Sequence, residues 1–208
     1  MRLSKILLLA AMLLISARAN AAERMKVGFL GDLVTGVSIP IGDNDYQRFA
    51  DPSFKIGLRL GVVLELSRSF SIAPEAEFDF VAVEPDRTDF PSVSGTIGAS
   101  TSIFDERGLF GARYIFPFAL GAFYLRTLIG VDHLGGTSTV NIGGLSGSSS
   151  FDSTAFALEP GAGIEFNIVR HLVVGFSTGF PIAFHHLSQN RSFTAANIDL
   201  LATVGLRL

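Results

Sequence analysis

The sequence predicts an all-β fold: an eight-stranded antiparallel up-and-down transmembrane β-barrel, preceded by a cleaved signal peptide. Three observations carry this. Apolar residues recur at every second position through most of the chain beyond residue 24. Short turns and long polar links alternate between these segments. The chain is apolar overall, with mean hydropathy +0.44, yet it has no continuous apolar run of the roughly 20 residues that a spanning helix needs.

Residues 1–21 read as the signal peptide. Arg2 and Lys5 precede the apolar run Ile6 to Ile15, and Ala19-Asn20-Ala21 offers a small-residue cleavage site before Ala22. The apolar run is too short for a membrane anchor. Residues 22–208 are then the barrel domain. Of the 16 bases, Arg2, Lys5 and Arg18 leave with the signal, so 13 face 19 acids and the mature charge is −6. Such a chain has no basic patch with which to neutralise phosphates, and nucleic acid is excluded as a partner. The absence of cysteine excludes disulfide staples, thiol nucleophiles and cysteine metal sites.

The strands follow in order. Around Arg24 to Val37, Met25, Val27 and Phe29 oppose Lys26, Gly28 and Leu30. From Phe54 to Leu66 every even position is apolar, and the odd positions include Lys55, Gly57, Arg59, Gly61 and Glu65. Phe70, Ile72, Ala76, Phe78 and Phe80 oppose Ser71, Ala73, Glu75, Glu77 and Asp79. The alternation recurs from Arg107 to Phe116, Phe123 to Asp132, Phe156 to Phe166, Leu172 to Ile182 and Asn197 to Leu208. Short turns are expected near Ser67–Ser69, Phe116–Phe118 and Ile168–Arg170. Long links are expected at Ser38–Asp51, Glu84–Asp105, Leu134–Ser153 and His185–Ala196, the third close to low complexity and mobile. Pro74 and Pro160 fall inside strands, where bulges or register shifts are expected because each removes a ladder donor.

Parity does not say which face is inside, since soluble barrels alternate too. Four features favour apolar-out. The polar face mixes acids, bases and glycines, as a crowded lumen would. Charged residues are only 17% of the chain. Phenylalanines gather toward both strand ends, like interfacial girdles. The two link sizes fit insertion from one side, with both chain ends in the periplasm and the apolar face toward lipid in the cell outer membrane.

With this pattern on the page, the chain resembles the small eight-stranded outer-membrane barrels of the OmpA and OmpX type. The resemblance covers the mature chain and rests on strand count, loop alternation and the final strand, Leu200 to Leu208. That ending is similar to the family's barrel-insertion signal, closing on leucine where the family usually has phenylalanine. The resemblance implies outer-membrane lipids and lipopolysaccharide as surroundings and the barrel-assembly machinery as a partner during insertion. No peptidoglycan-binding domain is expected after Leu208.

The polar face supplies the candidate site residues. A lumen charge network is expected from Lys55, Arg59, Glu65, Glu75, Glu77, Asp79, Arg113, Arg126, Asp132, Glu159, Glu165, Asp199 and Arg207, with Lys26, Asp32 and Arg107 on the same face. An eight-stranded barrel is just wide enough for side chains to fill it, and buried charges must pair. A salt-bridge plug is therefore expected, with a narrow ion path as the alternative. No enzyme activity, cofactor or metal site is expected. The candidate against this is His186 with Ser188, at the outer end of the seventh strand. It resembles the His-x-Ser-Asn element of lipid A deacylases, although Gln189 intervenes before Asn190. The remaining expectation is a structural or surface-interaction role, with an extracellular ligand held through the outer loops, whose Tyr46, Phe49, Phe90 and Phe104 could make contacts.

Overall fold

The computed structural model describes residues 26–42, 51–83, 88–92, 95–142, 145–187 and 191–208, all as strands and their connections. The expected signal peptide lies outside the described residues. Ten strands are formed among them: β1 (Lys26–Pro40), β2 (Ser53–Ser67), β3 (Phe70–Val83), β4 (Thr88–Ser92), β5 (Gly95–Phe118), β6 (Gly121–Ile142), β7 (Leu145–Val169), β8 (Leu172–Gly179), β9 (Ile182–Leu187) and β10 (Arg191–Arg207). Neighbours pair antiparallel in chain order, and β1 pairs with β10 from Leu30↔Arg207 to Pro40↔Asn197, which closes the sheet into a barrel. The wall has eight positions. β8 and β9 are two halves of one of them, both lying between β7 and β10. β4 stands outside the ring, paired with β5.

The split between β8 and β9 has a chemical cause. Pro160 of β7 faces this stretch and Pro181 lies in it, so two ladder donors are missing at one place. The register does not slip. Gly161↔Gly179 and Ala157↔Ala183 belong to the same alignment, and Phe180 N still donates to Pro160 O at 2.9 Å. Pro74 likewise stays in register, opposite Ala112. The bulges expected at Pro74 and Pro160 are absent. The irregularities lie instead at Glu65/Ser67 and Asn167/Val169, beside tight turns. There the chain must reverse within two residues, and an extra residue adds local twist.

Three turns cap one end: residues 68–69, 119–120 and 170–171. The second differs from the expectation of a turn at Phe116–Phe118, because Pro117 remains in the ladder opposite Ala122 and Phe118 opposite Gly121. This is the end that outer-membrane barrels place in the periplasm. Aromatic pairs mark it, with Phe70 and Phe116 rings 5.4 Å apart and Phe118 and Phe166 rings 6.1 Å apart.

The opposite end departs most from expectation. Composition predicts links at Glu84–Asp105 and Leu134–Ser153, but most of each is strand. β5 and β6 pair out to Ile97↔Ile142, and β6 and β7 out to Ile142↔Leu145. Residues 95–102 therefore run past Val83↔Ile103, the last pair with β3. At about 3.3 Å per residue that is roughly 25 Å of strand. β4, β5, β6 and β7 together form a sheet projecting from the barrel. Its glycines and serines disguise it, because they lower intrinsic strand preference while a long ladder can still override it.

Burial decides the facing. Phe29, Phe78, Phe110 and Phe176 are 58–67% exposed, whereas Arg59 and Arg107 are 0% exposed. Apolar side chains stand outside and charges within. The exterior is a continuous apolar belt that water would not tolerate and lipid would.

Candidate functional site

The lumen is built by the odd positions of β2, β3, β5, β7, β8, β9 and β10 and by the even positions of β1 and β6. In the narrow barrel the long charged side chains fit because glycines face them. A Cβ on Gly57 would lie 2.0 Å from Asp79 Oδ1, one on Gly205 2.0 Å from Asp32 Oδ1, and one on Gly179 2.6 Å from Glu159 Oε1. Glycine here serves as vacant volume beside an arginine or a carboxylate.

The charges form three tiers. Nearest the turn end, Arg113 donates to Glu75 Oε2 at 2.8 Å and to Asp32 Oδ2 at 2.9 Å, and its guanidinium lies 4.5 Å over the Tyr124 ring. Arg207 joins Asp32, at 2.5 Å, to Glu165. In the middle tier Arg59 Nε donates to Glu77 Oε2 at 2.8 Å, and Arg126 bridges Glu77 and Glu159. Lys55 Nζ lies 2.5 Å from Asp79 Oδ2 and 2.7 Å from Asp199 Oδ2, with Glu77 and Glu159 at 3.7 and 3.8 Å. In the outer tier Arg107 holds Asp132 at 3.0 Å, Asp199 at 3.3 Å, and Asp105.

His185 completes the outer tier. Its Nε2 is 3.0 Å from Asp132 Oδ1, its Nδ1 is 3.1 Å from Ser153 Oγ, and its ring stacks on Phe193 at 5.2 Å. Above these groups, buried Val81, Ile103, Leu134, Phe193 and Ala195 form an apolar cap toward the outer mouth. Ion pairs fill the lumen and apolar side chains cover it.

Every residue expected in the network stands in the lumen except Glu65, which is exposed at the strand end opposite Lys26, itself exposed. The reason is position: the bulge and turn lift Glu65 out of the closed part of the barrel. Asp32 and Arg107 are fully buried in it. Sequence reasoning misses Asp105, Ser38, Ser153 and His185. Asp105 and His185 fall in the expected links, yet each continues the inward parity of its strand, Asp105 with Arg107 and His185 with Gly179. That parity is the available signal.

The other candidates fare differently. His186 points outward and is exposed, facing Ser192 across the β9–β10 ladder, while Ser188 lies outside the described residues. Glu77, Asp79 and Glu159 bring carboxylate oxygens within 4.8 Å of one another. Lys55 Nζ already stands among them and supplies the cation that such a cluster needs. Phe104, expected on a loop, is an outward residue of β5 whose ring packs 5.9 Å from that of His133. Phe90 belongs to β4. Tyr46 and Phe49 lie outside the described residues.

No protein-family model and no curated protein matches the chain. Solved structures do. A major outer membrane protein from Thermus thermophilus has a TM-score of 0.51 at 8% identity, covering 88% of this chain and all of that one. Ail, the attachment invasion locus protein of Yersinia pestis, is 19% identical with a TM-score of 0.43, over 88% of this chain and all of its own. Neisserial surface protein A is 12% identical with a TM-score of 0.41, over 88% of this chain and 99% of its own. At 8% identity the likeness to the Thermus protein is one of fold. The chain has the fold of an outer-membrane β-barrel.

Proposed function

We propose that this barrel is a non-enzymatic outer-membrane protein that binds an extracellular partner through its projecting sheet, using the barrel as a closed, rigid mount. The observation that carries the reading is the extension of β5, β6 and β7 beyond the rim, as far as Ile97↔Ile142 and Ile142↔Leu145. A protein whose only task was to span the membrane would have no use for these strands. Function in such folds concentrates where a rigid scaffold displays variable segments. The lumen supports the same reading, because ion pairs and an apolar cap occupy its interior among the described residues.

The test is to shorten the β6–β7 hairpin by replacing residues 139–148 with Asn-Gly, so that Ser138 and Ser149, already ladder partners, flank a new two-residue turn. Cells displaying the shortened protein should lose adhesion to surfaces coated with extracellular proteins, while the purified barrel keeps its heat-shifted gel migration. Undiminished adhesion would refute the role of the sheet.

A further inference from the structure

The depth of the apolar belt varies around the barrel. On its lipid-facing side, across β10, β1, β2, β3 and β5, a groove of about 720 Å³ opens between Phe29, Leu60, Val62, Phe110 and Leu206. It exists because two outward positions there carry little or no side chain to fill the belt, Gly31 on β1 and Pro74 on β3. The wall beneath is thin for the same reason, since Gly61 and Gly111 place no side chain behind it.

The groove lies toward the turn end, and the charges at that end are unevenly placed. Lys26 opens β1, Arg68 occupies the β2–β3 turn, and Arg170 and His171 form the β7–β8 turn. All four are exposed, and Glu65 is the acid among them. His171 Nδ1 lies 2.8 Å from the Arg207 carbonyl, so this turn borders β10, one edge of the groove. The remaining turn, Ala119–Leu120, is uncharged. An apolar furrow in the belt thus ends below a cationic rim, on the side of the barrel that the furrow occupies.

We propose that this groove is a stoichiometric binding site for one phospholipid of the periplasmic leaflet. An acyl chain lies over Gly31 and Pro74, and the phosphate is held by Arg68. The chemistry matches at both ends. The groove is lined almost wholly by carbon, and a phosphate accepts charge-assisted hydrogen bonds from guanidinium and ammonium groups at headgroup depth. The site is independent of the projecting sheet and stands or falls separately from it.

Position 31 offers a clean probe, because a Cβ there meets Leu60 Cδ2 at 3.6 Å, an ordinary contact. Gly31→Leu would fill the groove from outside without entering the lumen. The folded barrel is mixed in detergent with dioleoyl phosphatidylglycerol or dioleoyl phosphatidylcholine, and retained lipid is counted by native mass spectrometry. The wild type should retain phosphatidylglycerol, saturating at one equivalent, and Gly31→Leu should lower that retention at least tenfold. The Arg68→Gln variant should lose the preference for phosphatidylglycerol over phosphatidylcholine while still retaining lipid. Retention that does not saturate at one equivalent, or that Gly31→Leu leaves unchanged, would overturn the site. A preference that survives in Arg68→Gln would overturn the phosphate contact.

Discussion

Lys55→Met tests the lumen network where it is most concentrated. The side chain is fully buried, and its Nζ lies within 4 Å of four carboxylates, two of them, Asp79 and Asp199, within hydrogen-bond distance. Methionine keeps the apolar stem and deletes the charge. Among the described residues no other cation serves Asp79 as closely, and the lumen already holds nine buried carboxylates against five buried cations and Arg207 at the mouth. Removing one partner of a buried ion pair costs about 3–5 kcal/mol, because the other charge stays buried. With about 1.4 kcal/mol per tenfold, the folding equilibrium constant should fall by roughly a hundred- to a few-thousand-fold. The assay is reversible urea unfolding from lipid vesicles, read by the gel shift of folded barrel. Lys26→Met, an exposed lysine on the neighbouring strand, serves as control and should change stability by no more than about 0.5 kcal/mol. Adding Asp79→Asn to Lys55→Met removes the carboxylate left worst off and should restore about 1–2 kcal/mol. Equal effects of Lys55→Met and Lys26→Met, or no recovery in the double variant, would show that the ion pairs do not hold the barrel.

Three further outcomes follow from the same geometry. Gly57→Ala should destabilise by about 1–3 kcal/mol, because its Cβ would sit 2.0 Å from Asp79 Oδ1 and the packed lumen must shift; Gly31→Ala, on the outside, should be near neutral in the same unfolding series. Leu58→Arg places a charge on the outward face in mid-strand, between Leu33 and Phe78, and should cost about 2–4 kcal/mol in vesicles if that level is the bilayer midplane. In planar bilayers the wild type should pass no steady current, and Arg126→Ala, which strands Glu77 and Glu159, should lower heat stability without opening a channel; a stable variant with clear unitary current would revive the pore reading.

Much of the architecture is legible because the period-two signal is strong where one face must meet lipid. Phe54 to Leu66 fixes its own facing once the charges are seen to share one side. What is not legible depends on partners distant in sequence. Gly135 and Ser148 have no strand preference of their own, and they become strand because the long β5–β6–β7 ladder pairs them, Gly135 with Phe104 and Asp152 and Ser148 with Thr139. Pro160 and Pro181 look like separate defects in the sequence and act at one site only because β7 and the β8–β9 wall are neighbours. Glu65 has the inward parity of Arg59, but parity says nothing of height, and at the strand end there is no lumen left to enter. His185 shows the reverse case: it falls with His186 in an expected link, yet it is the inward member of the pair and the partner of Asp132.

The central claim is that adjacent positions on one strand face lipid and a sealed, charge-filled interior. The chain contains no tryptophan, so single tryptophans report without background. Phe123, 52% exposed, and Tyr124, 1% exposed beside Arg113, are consecutive aromatic residues of β6. Phe123→Trp and Tyr124→Trp, each folded into vesicles of brominated phospholipid, measure the two faces directly. Strong quenching at 123 with little at 124, and neither tryptophan reached by aqueous iodide, is the predicted result. Quenching at 124 with protection at 123, or iodide access to 124, would contradict the account.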